Sequence, residues 1–451
     1  MNGPAPAAPG AFISSLESCF ALPLNEITSI VRSFHEEMDR GLSGQSSSLK
    51  MLPSFVDVPR GTEKGSFLAL DLGGTNVRVL AVELDGRRNA TVPAVSTFAV
   101  PPGDMEGTGA ALFDFIARCI DSFLTEHTID RNNLYDLAFT FSFPVAQKDI
   151  ASGALIAWTK GFTARGVQGE DVAGLLRTAL KRNSISCINV TALTNDTVGT
   201  LAAGSYLDPA CDMGVILGTG TNGCYREKSS NIKILNGYVS DEYMIVNLEW
   251  GNFATLKRTG YDMHLDEASV NEGSMFLEKM VSGMYLGEMT RLVLIDMIQR
   301  ELIFLNDPDA TEHFSTKNSL KTEHMSLIQG DQTTELSKTD RYLKSMGVTS
   351  STLPDRLLLS HLCGIVSSRA AAISAAVVSA VLTWLDPALE ERHTVAVDGA
   401  LFEGYAGFEA AMTETFTLLH GNNADNIKLM KCKDGSGRGA AIVAAVTASK
   451  Q

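Results

Sequence analysis

Two glycine turns with similar surroundings stand far apart in the sequence, and each could hold an anionic group. Residues 67–84 read FLALDLGGTNVRVLAVEL, and residues 214–227 read GVILGTGTNGCYRE. In both segments an apolar strand pattern runs into glycines, then Thr-Asn, then a second apolar run. Glycine has no Cβ and tolerates positive φ, so successive backbone N–H groups in such turns can converge on a phosphate. The repeated motif therefore predicts two phosphate-binding turns.

A carboxylate, Asp71, stands where the first strand pattern ends. Beside phosphates it would be repelled unless a cation lay between them, so we expect it to orient Mg²⁺ through water, because Mg²⁺ keeps several of its waters. The alternative is a turn-capping aspartate, and the duplicated motif favours the metal. Arg78 on the following strand could reach a phosphate or form an exposed ion pair. Neither turn has the spacing GxxxxGK[ST], nor a GxGxxG that opens a helix.

Polar side chains also interrupt three apolar stretches: FTFSFPV at 139–145, WTKGF at 158–162 and LTNDTVGTL at 193–201. Buried polar groups cost free energy unless they are paired, so this concentration of donors and acceptors suits a ligand rich in hydroxyls. The candidates are Ser142, Thr159, Lys160, Asn195, Asp196, Asn222 and Glu249. The alternative for Asn195-Asp196-Thr197 is a helix N-cap, with Asp196 acting only as a cap residue.

The elements that must position these residues alternate between strand and helix, which predicts an α/β fold. We expect strands at 67–70, 77–84, 94–100, 136–145, 185–195 and 394–397, and helices at 13–42, 111–127, 170–182, 196–206, 273–305 and 353–385. Residues 428–448 predict a strand, a glycine loop and a terminal helix. The spacing of Met280, Met284 and Met289 is that of a helix core.

Composition narrows the possible partners. The chain has 451 residues and a net charge of -15, which argues against nucleic acid or an anionic membrane as the main partner. Its seven cysteines are isolated, so we expect reduced thiols and a cytoplasmic location. The apolar run 370–385 is shorter than the roughly 18 residues of a membrane span, and so predicts a buried helix.

Taken together, the motifs resemble the eukaryotic hexokinase family, in its single-unit hexokinase or glucokinase form. The segments that carry the resemblance, between residues 20 and 448, are LALDLGGTNVRVL, FTFSFP, WTKGF, NDTVGTL, GTGTN, VNLEWGNF, DEASVNEGSMFLEKMVSGMYLGE and DGSGRGAA. The resemblance implies a two-lobed actin-like ATPase fold, ribonuclease H-like and duplicated, which would account for the repeated turn. The implied divisions are an N-terminal helical segment on the large lobe (1–57), a small lobe (58–195), a large lobe (196–439) and a C-terminal helix returning to the small lobe (440–451).

The resemblance also implies an activity, the ATP- and Mg²⁺-dependent phosphorylation of the 6-hydroxyl of a hexose as the first step of glycolysis. Glucose is the expected substrate, with mannose and fructose also accepted, and Asp196 is the implied general base. The implied sugar contacts are Ser142, Thr159, Lys160, Asn195, Asn222, Glu249 and Glu278. The implied ATP contacts are Asp71, Gly73, Gly74, Thr75, Asn76, Arg78, Gly218, Thr219, Gly220, Thr221, Asp398, Gly399, Gly435, Ser436 and Gly437, with Mg²⁺ held by Asp71 through water.

One departure from the family pattern concerns the sugar. Met275 stands where the family commonly has Gln, so a kinase preferring glucosamine or N-acetylglucosamine is an alternative. A weakly catalytic sugar sensor is a second alternative, and the intact Asp71, Asp196 and glycine turns favour the kinase. The expected partners are a sugar and ATP, with no nucleic acid and no membrane span. The sequence leaves open whether the protein is a monomer or a homodimer.

Overall fold

The computed structural model describes residues 9–158, 161–235 and 242–449. The strands are β1 (Leu52–Pro53), β2 (Lys64–Gly73), β3 (Asn76–Asp85), β4 (Ala90–Ala99), β5 (Tyr135–Phe141), β6 (Val145–Asp149), β7 (Ser152–Leu155), β8 (Ile188–Thr194), β9 (Cys211–Leu217), β10 (Thr221–Lys228), β11 (Tyr243–Asn247), β12 (His393–Asp398) and β13 (Ile427–Lys431). The helices are α1 (Pro9–Phe20), α2 (Leu24–Leu42), α3 (Pro102–Glu106), α4 (Gly109–Glu126), α5 (Val172–Arg182), α6 (Asp196–Leu207), α7 (Gly260–Glu267), α8 (Phe276–Val281), α9 (Gly283–Gln299), α10 (Ala310–His313), α11 (Thr322–Gln329), α12 (Ser337–Ser345), α13 (Leu353–Leu385), α14 (Ala400–Gly404), α15 (Phe408–His420) and α16 (Gly435–Ala448).

Two mixed sheets share one arrangement of five strands, and the second sheet has β1 as a sixth strand at its edge. One has the order β4-β3-β2-β5-β8, and the other has the order β1-β11-β10-β9-β12-β13. In each sheet an antiparallel hairpin, β2–β3 or β9–β10, is followed by two parallel strands on its far side. The glycine turns close these two hairpins, so the repeated sequence motif corresponds to a repeated structural unit. The predicted α/β fold is confirmed.

Two helices lie between the sheets. Helix α6 packs on β9 and α16 packs on β2, and the two helices contact each other along their length. A β-carbon on Gly439 would lie 1.7 Å from the carbonyl oxygen of Gly199, so only glycine permits this approach. Gly435, Gly437 and Gly439 belong to the first turns of α16, so the prediction that these glycines form a loop before the terminal helix is wrong. The predicted lobe boundaries stay a prediction.

The long helix α13 forms the core beneath the second sheet. Its length and composition would allow it to cross a membrane, but 83% of its most apolar 18-residue window is buried inside the protein. It packs against α2, α11 and α15. The predicted buried helix over residues 353–385 is therefore confirmed with the same bounds.

Two predicted helices are interrupted. The segment predicted as one helix over 13–42 is two, α1 and α2, because Pro23 lacks the backbone N–H that a continuous helix needs. The segment predicted over 273–305 breaks at Ser282 and its second part, α9, ends at Gln299. Helix α9 begins at Gly283, directly after this break. Met284 lies in its first turn and is 57% exposed, so the expected core position of that methionine is wrong.

Candidate active site

The first glycine turn closes the β2–β3 hairpin and lies beside two polar side chains. Asp71 is opposite Arg78 in the register, and Gly73 is opposite Asn76. A β-carbon on Gly73 would lie 3.5 Å from Asp71 Oδ1 and 3.6 Å from the hydroxyl oxygen of Ser142, which follows β5. A carboxylate, a hydroxyl and an open backbone turn therefore meet at the end of this sheet.

The second glycine turn joins β9 to β10 and is fixed by helix α9. The carbonyl of Gly218 accepts a hydrogen bond from the N–H of Gly283 at 2.8 Å, and the carbonyl of Thr219 accepts one from Met284 at 3.1 Å. These donors begin α9, so the turn carbonyls satisfy helix N–H groups that have no partner within the helix. A β-carbon on Gly218 would lie 3.5 Å from Gly399 Cα, where β12 ends. The turn is thus held between α9 and the end of β12.

A chain of contacts connects the two turns. Arg78 on the first hairpin forms a 3.1 Å ion pair with Asp434, immediately before α16. The N–H of Ser436 in α16 donates to Asp398 Oδ2 at 3.3 Å, at the end of β12. Burial raises the pKa of Asp398 to about 6, and the nearby Asp434 carboxylate adds to the rise. The residues predicted for the nucleotide thus link the first sheet to the second.

The candidate base stands at the start of α6. Asn195 is the N-cap, and its Oδ1 accepts hydrogen bonds from the backbone N–H of Thr197 at 3.0 Å and from the Thr197 hydroxyl at 2.7 Å. Asp196 is the first helical residue, and its Oδ1 also accepts from the Thr197 N–H, at 2.8 Å. The capping role foreseen for this tripeptide therefore falls mainly on Asn195. Asp196 is half-buried, as a group that must meet a ligand would be.

Next to Asn195 lies a network of amides and a carboxylate. The Asn222 amide donates to Glu249 Oε1 at 3.0 Å and to Asn247 Oδ1 at 2.9 Å, and lies 3.5 Å from Asn195 Oδ1. The Asn247 amide donates to the same Glu249 oxygen at 3.0 Å. Glu249 has a left-handed backbone with φ 49°, which is costly for a residue other than glycine and is typical of functional positions. Asn247 was not among the predicted residues, although it lies in the VNLEW motif.

Glu278 joins this network to the second glycine turn. Its Oε2 accepts a hydrogen bond from the backbone N–H of Thr221 at 3.2 Å. A β-carbon on Gly220 would lie 2.7 Å from that oxygen, so Gly220 leaves room for the carboxylate. On the other side, Met275 Cε would lie 2.6 Å from a β-carbon on Gly251. The structure thus brings Asn195, Asn222, Glu249 and Glu278 together as a row of polar side chains, with Asp196 next to Asn195 in the sequence and Met275 against Gly251.

Two predicted sugar contacts, Thr159 and Lys160, lie outside the described residues. The aromatic residues on either side of them are well anchored. The rings of Trp158 and Phe162 stack at 5.3 Å, and both contact Phe143, at 4.9 and 5.2 Å. These contacts hold Trp158 and Phe162 beside Phe143, which follows Ser142 in the sequence.

A cavity of about 640 Å³ opens beside the second glycine turn. It is lined by Gly218, Thr219, Gly283, Met284, Asn318, Leu320, Lys321, Thr322, Glu323, Ser326, Ala400, Leu401, Gly404 and Tyr405. Of the ATP contacts that the resemblance implies, Gly218 and Thr219 line the cavity, whereas Asp398, Gly399 and residues 435–437 do not. The residues from 318 to 326 carry no motif, so the tertiary structure alone reveals them.

The residues around Asp71 suit a Mg²⁺ ion that takes most of its oxygen ligands from water and from a bound phosphate. Among the described residues, no group of three or more His, Cys, Asp or Glu side chains could enclose a metal ion. One carboxylate near a hydroxyl fits a cation that keeps several waters and takes its other oxygens from phosphates. Asp71 and Ser142 are therefore compatible with such an ion.

These features define the class of the protein: an α/β protein built on two similar mixed sheets, with a glycine turn in each and a row of polar side chains beside the second turn. The sequence matches family models described as Hexokinase over residues 12–206 and 212–446. It is 39% identical over 459 residues to Hexokinase-7 of Oryza sativa subsp. japonica, covering 99% of this chain and 98% of the rice protein. It is 40% identical to mouse Hexokinase HKDC1, covering 96% of this chain and 48% of that protein, so it spans about half the length of this relative.

The fold agrees with these matches. A hexokinase from Schistosoma mansoni, solved in complex with glucose, superposes with a TM-score of 0.85 at 36% sequence identity, covering 97% of this chain and 98% of the parasite chain. The predicted hexokinase-type fold is confirmed. The chain therefore belongs to the hexokinase family.

Proposed function

We propose that the protein transfers the γ-phosphoryl group of MgATP to the 6-hydroxyl of a hexose, with glucose as its main substrate and mannose and fructose also accepted. The observation that carries the proposal is the row of polar side chains from Asp196 through Asn222 to Glu249 and Glu278. Family membership supports it, as does the glucose complex of the Schistosoma hexokinase. The first step of glycolysis is the role that this activity would serve.

The sugar side follows from the chemistry of that row. Amides and carboxylates can bind the hydroxyls of a pyranose, and the fixed hydrogen bonds among them hold the side chains in place before the ligand arrives. The Asp196 carboxylate accepts the proton of the 6-hydroxyl as that oxygen attacks phosphorus. Thr159, Lys160 and Ser142 complete the proposed set of sugar contacts. Closure of the lobes would exclude water, which is the competing acceptor.

The nucleotide side follows from the turns and the cavity. We assign the phosphates to the turns at 73–76 and 218–221, and the adenosine to the 640 Å³ cavity that opens beside Thr219. Asp398, Gly399 and residues 435–437 remain proposed ATP contacts, although they do not line that cavity. A bound Mg²⁺ would neutralise phosphate charge during transfer. Asp71 would hold it through water.

We also propose a cytoplasmic location. All seven cysteines are free thiols, and six of them are buried, whereas Cys19 is exposed. Reduced thiols are typical of that compartment. Cell fractionation tests the assignment, and a protein recovered with an oxidising compartment would contradict it.

The function is tested by replacing the base. Asp196→Asn keeps the shape of the side chain and removes its ability to accept a proton, so kcat should fall about 10²- to 10⁴-fold while the Kd for glucose changes little. Coupled ADP release and calorimetry measure the two quantities. Asp425→Asn, at an exposed site, is the matched control. A wild-type protein that binds glucose without releasing ADP would instead support the sugar-sensor alternative.

A further inference from the structure

We infer that Cys224 is a positioning residue, whose thiol holds the start of α6 against the hairpin of the second glycine turn and so sets where the Asp196 carboxylate lies. The inference rests on the proposed function for the role of Asp196 as the base. It concerns what places that carboxylate, and not which sugar is phosphorylated.

One face of β10 is directed at the start of α6. The Asn222 amide lies 3.5 Å from Oδ1 of Asn195, which is the N-cap of the helix. Two residues further along the strand, the Cys224 thiol donates a hydrogen bond to the carbonyl oxygen of Thr197 at 3.0 Å. Side chains two residues apart on a strand share a face, so both contacts come from the same side of β10. Because Asp196 stands between Asn195 and Thr197 in the sequence, the strand contacts the helix on both sides of the base.

The neighbouring strand β9 leaves room for the helix at the same level. Gly214 is opposite Cys224 in the β9–β10 register. A β-carbon on Gly214 would lie 2.6 Å from the Thr197 carbonyl oxygen and 2.7 Å from the backbone nitrogen of Leu201. Only glycine permits this approach of two backbones. The start of α6 therefore rests directly on the hairpin, at the pair formed by Gly214 and Cys224.

The thiol remains protonated, and so it can act as a donor. Cys224 is fully buried, and burial raises the pKa of its thiol well above the usual range. The nearby Asp196 carboxylate adds to the rise in this pKa. A protonated S–H donates a hydrogen bond, although a weak one, whereas a thiolate has no proton to donate.

The thiol makes a kind of contact that the cap of α6 does not make for itself. The N–H and the hydroxyl of Thr197 donate to side-chain oxygens of Asn195 and Asp196, within the same cap. These bonds fix the shape of the cap, whereas the bond from Cys224 fixes the cap relative to the hairpin. A base must lie within hydrogen-bond reach of the hydroxyl that it deprotonates, so a small displacement of this cap should lower kcat.

The experiment removes the donor and then restores it. In Cys224→Ala, kcat should fall about tenfold, less than the roughly 10²-fold that a full 1 Å misplacement can cost. The Kd for glucose should change little, because the contact between Asn222 and Asn195 remains. Cys224→Ser keeps an O–H donor and should recover most of the lost kcat. Cys363→Ala, at a fully buried thiol in α13, is the matched control and should leave kcat near that of the wild type.

Amide hydrogen exchange separates this inference from the proposed function, because exchange does not depend on turnover. Exchange at the start of α6 should be faster in Cys224→Ala than in the wild type, and near the wild-type rate in Cys224→Ser. Unchanged exchange in Cys224→Ala would overturn the positioning role. Values of kcat that are equal in Cys224→Ala and Cys363→Ala, or in Cys224→Ala and Cys224→Ser, would overturn it as well. No ADP release by the wild type with any hexose would instead overturn the proposed function, and exchange would still test whether the thiol holds the helix.

Discussion

The Arg78 guanidinium lies 3.1 Å from the Asp434 carboxylate, and this ion pair connects the hairpin of the first glycine turn to the start of helix α16. Arg78 is opposite Asp71 in the β2–β3 register, so its cation is close to where the phosphates are proposed to bind. Asp434 has a left-handed backbone with φ 55° and precedes the helix directly. A carboxylate that already pairs with this arginine would compete with the phosphates of ATP proposed to bind there.

Substitutions of this pair should change ATP affinity in opposite directions. Arg78→Ala removes a cation from the phosphate site and should raise the KM for ATP about tenfold or more, whereas Asp434→Asn releases the arginine and should lower that KM a few-fold. Initial rates at saturating glucose measure both. Arg131→Ala disrupts a surface pair with Asp121 at 2.6 Å and should leave the KM for ATP unchanged. An unchanged KM in Arg78→Ala would remove Arg78 from the phosphate site.

Filling the cavity beside Thr219 should impair nucleotide binding alone. Ala400→Phe introduces a large ring into the 640 Å³ cavity and should raise the KM for ATP at least tenfold, with the Kd for glucose unchanged. Ala410→Phe is the control, since Ala410 lines a neighbouring cavity of about 670 Å³ that shares only Gly404 and Tyr405 with the first. Equal effects of the two substitutions on ATP would refute the adenosine assignment.

The close approach of α6 and α16 should make Gly439 intolerant of any side chain. Gly439→Ala places a methyl group 1.7 Å from the Gly199 carbonyl oxygen and should lower the free energy of unfolding by about 1–3 kcal/mol or more. Gly103→Ala meets no atom within 4 Å and should be neutral or slightly stabilising. Chemical denaturation compares the two variants. A Gly439→Ala protein as stable as the wild type would mean that the helices can separate at no cost.

A buried histidine should make stability depend on pH. His393 on β12 contacts Asp212 at 2.6 Å and Asp386 at 3.4 Å, and the hydrogen bond to Asp212 raises its pKa above the usual 6.5. Because the folded state binds the proton more tightly, the stabilisation is complete below pH 6.5 and is lost as the pH rises through the raised pKa.

His393→Asn should therefore cost about 1.5–3 kcal/mol at pH 6 and progressively less at alkaline pH. Thermal unfolding of both proteins between pH 6 and pH 9 tests this. His361→Asn, at an exposed histidine paired with Glu17, should cost about 0–1 kcal/mol at most. A cost for His393→Asn that does not change with pH would show that the histidine acts through packing alone.

Local patterns in the sequence determined the two hairpins and the long core helix. Glycines that separate two apolar runs favour a turn between two strands, so β2–β3 and β9–β10 followed from the residues themselves. The bounds of α13 followed from its alanine-rich composition, and the structure adds the Thr352–Asp355 capping box at its start. The helix breaks at Pro23 and Ser282 and the first turns of α16 were predicted wrongly. Contacts with distant segments determine the break at Ser282 and the start of α16. Pro23, in contrast, is a local signal for a helix break that the prediction overlooked.

The tertiary structure decided how the site is assembled. Asn247, the residues at 318–326 and the Arg78–Asp434 pair belong to the site only because strands and helices far apart in the sequence meet there. No local spacing encodes these contacts. Asn247 meets Asn222 because β10 pairs with β11, residues 318–326 reach the second turn through the packing of α11 on α9, and Arg78 meets Asp434 because α16 packs on β2 and β3. The sequence by itself thus determined which groups could do the chemistry, and the packing of the two sheets determined which of them meet.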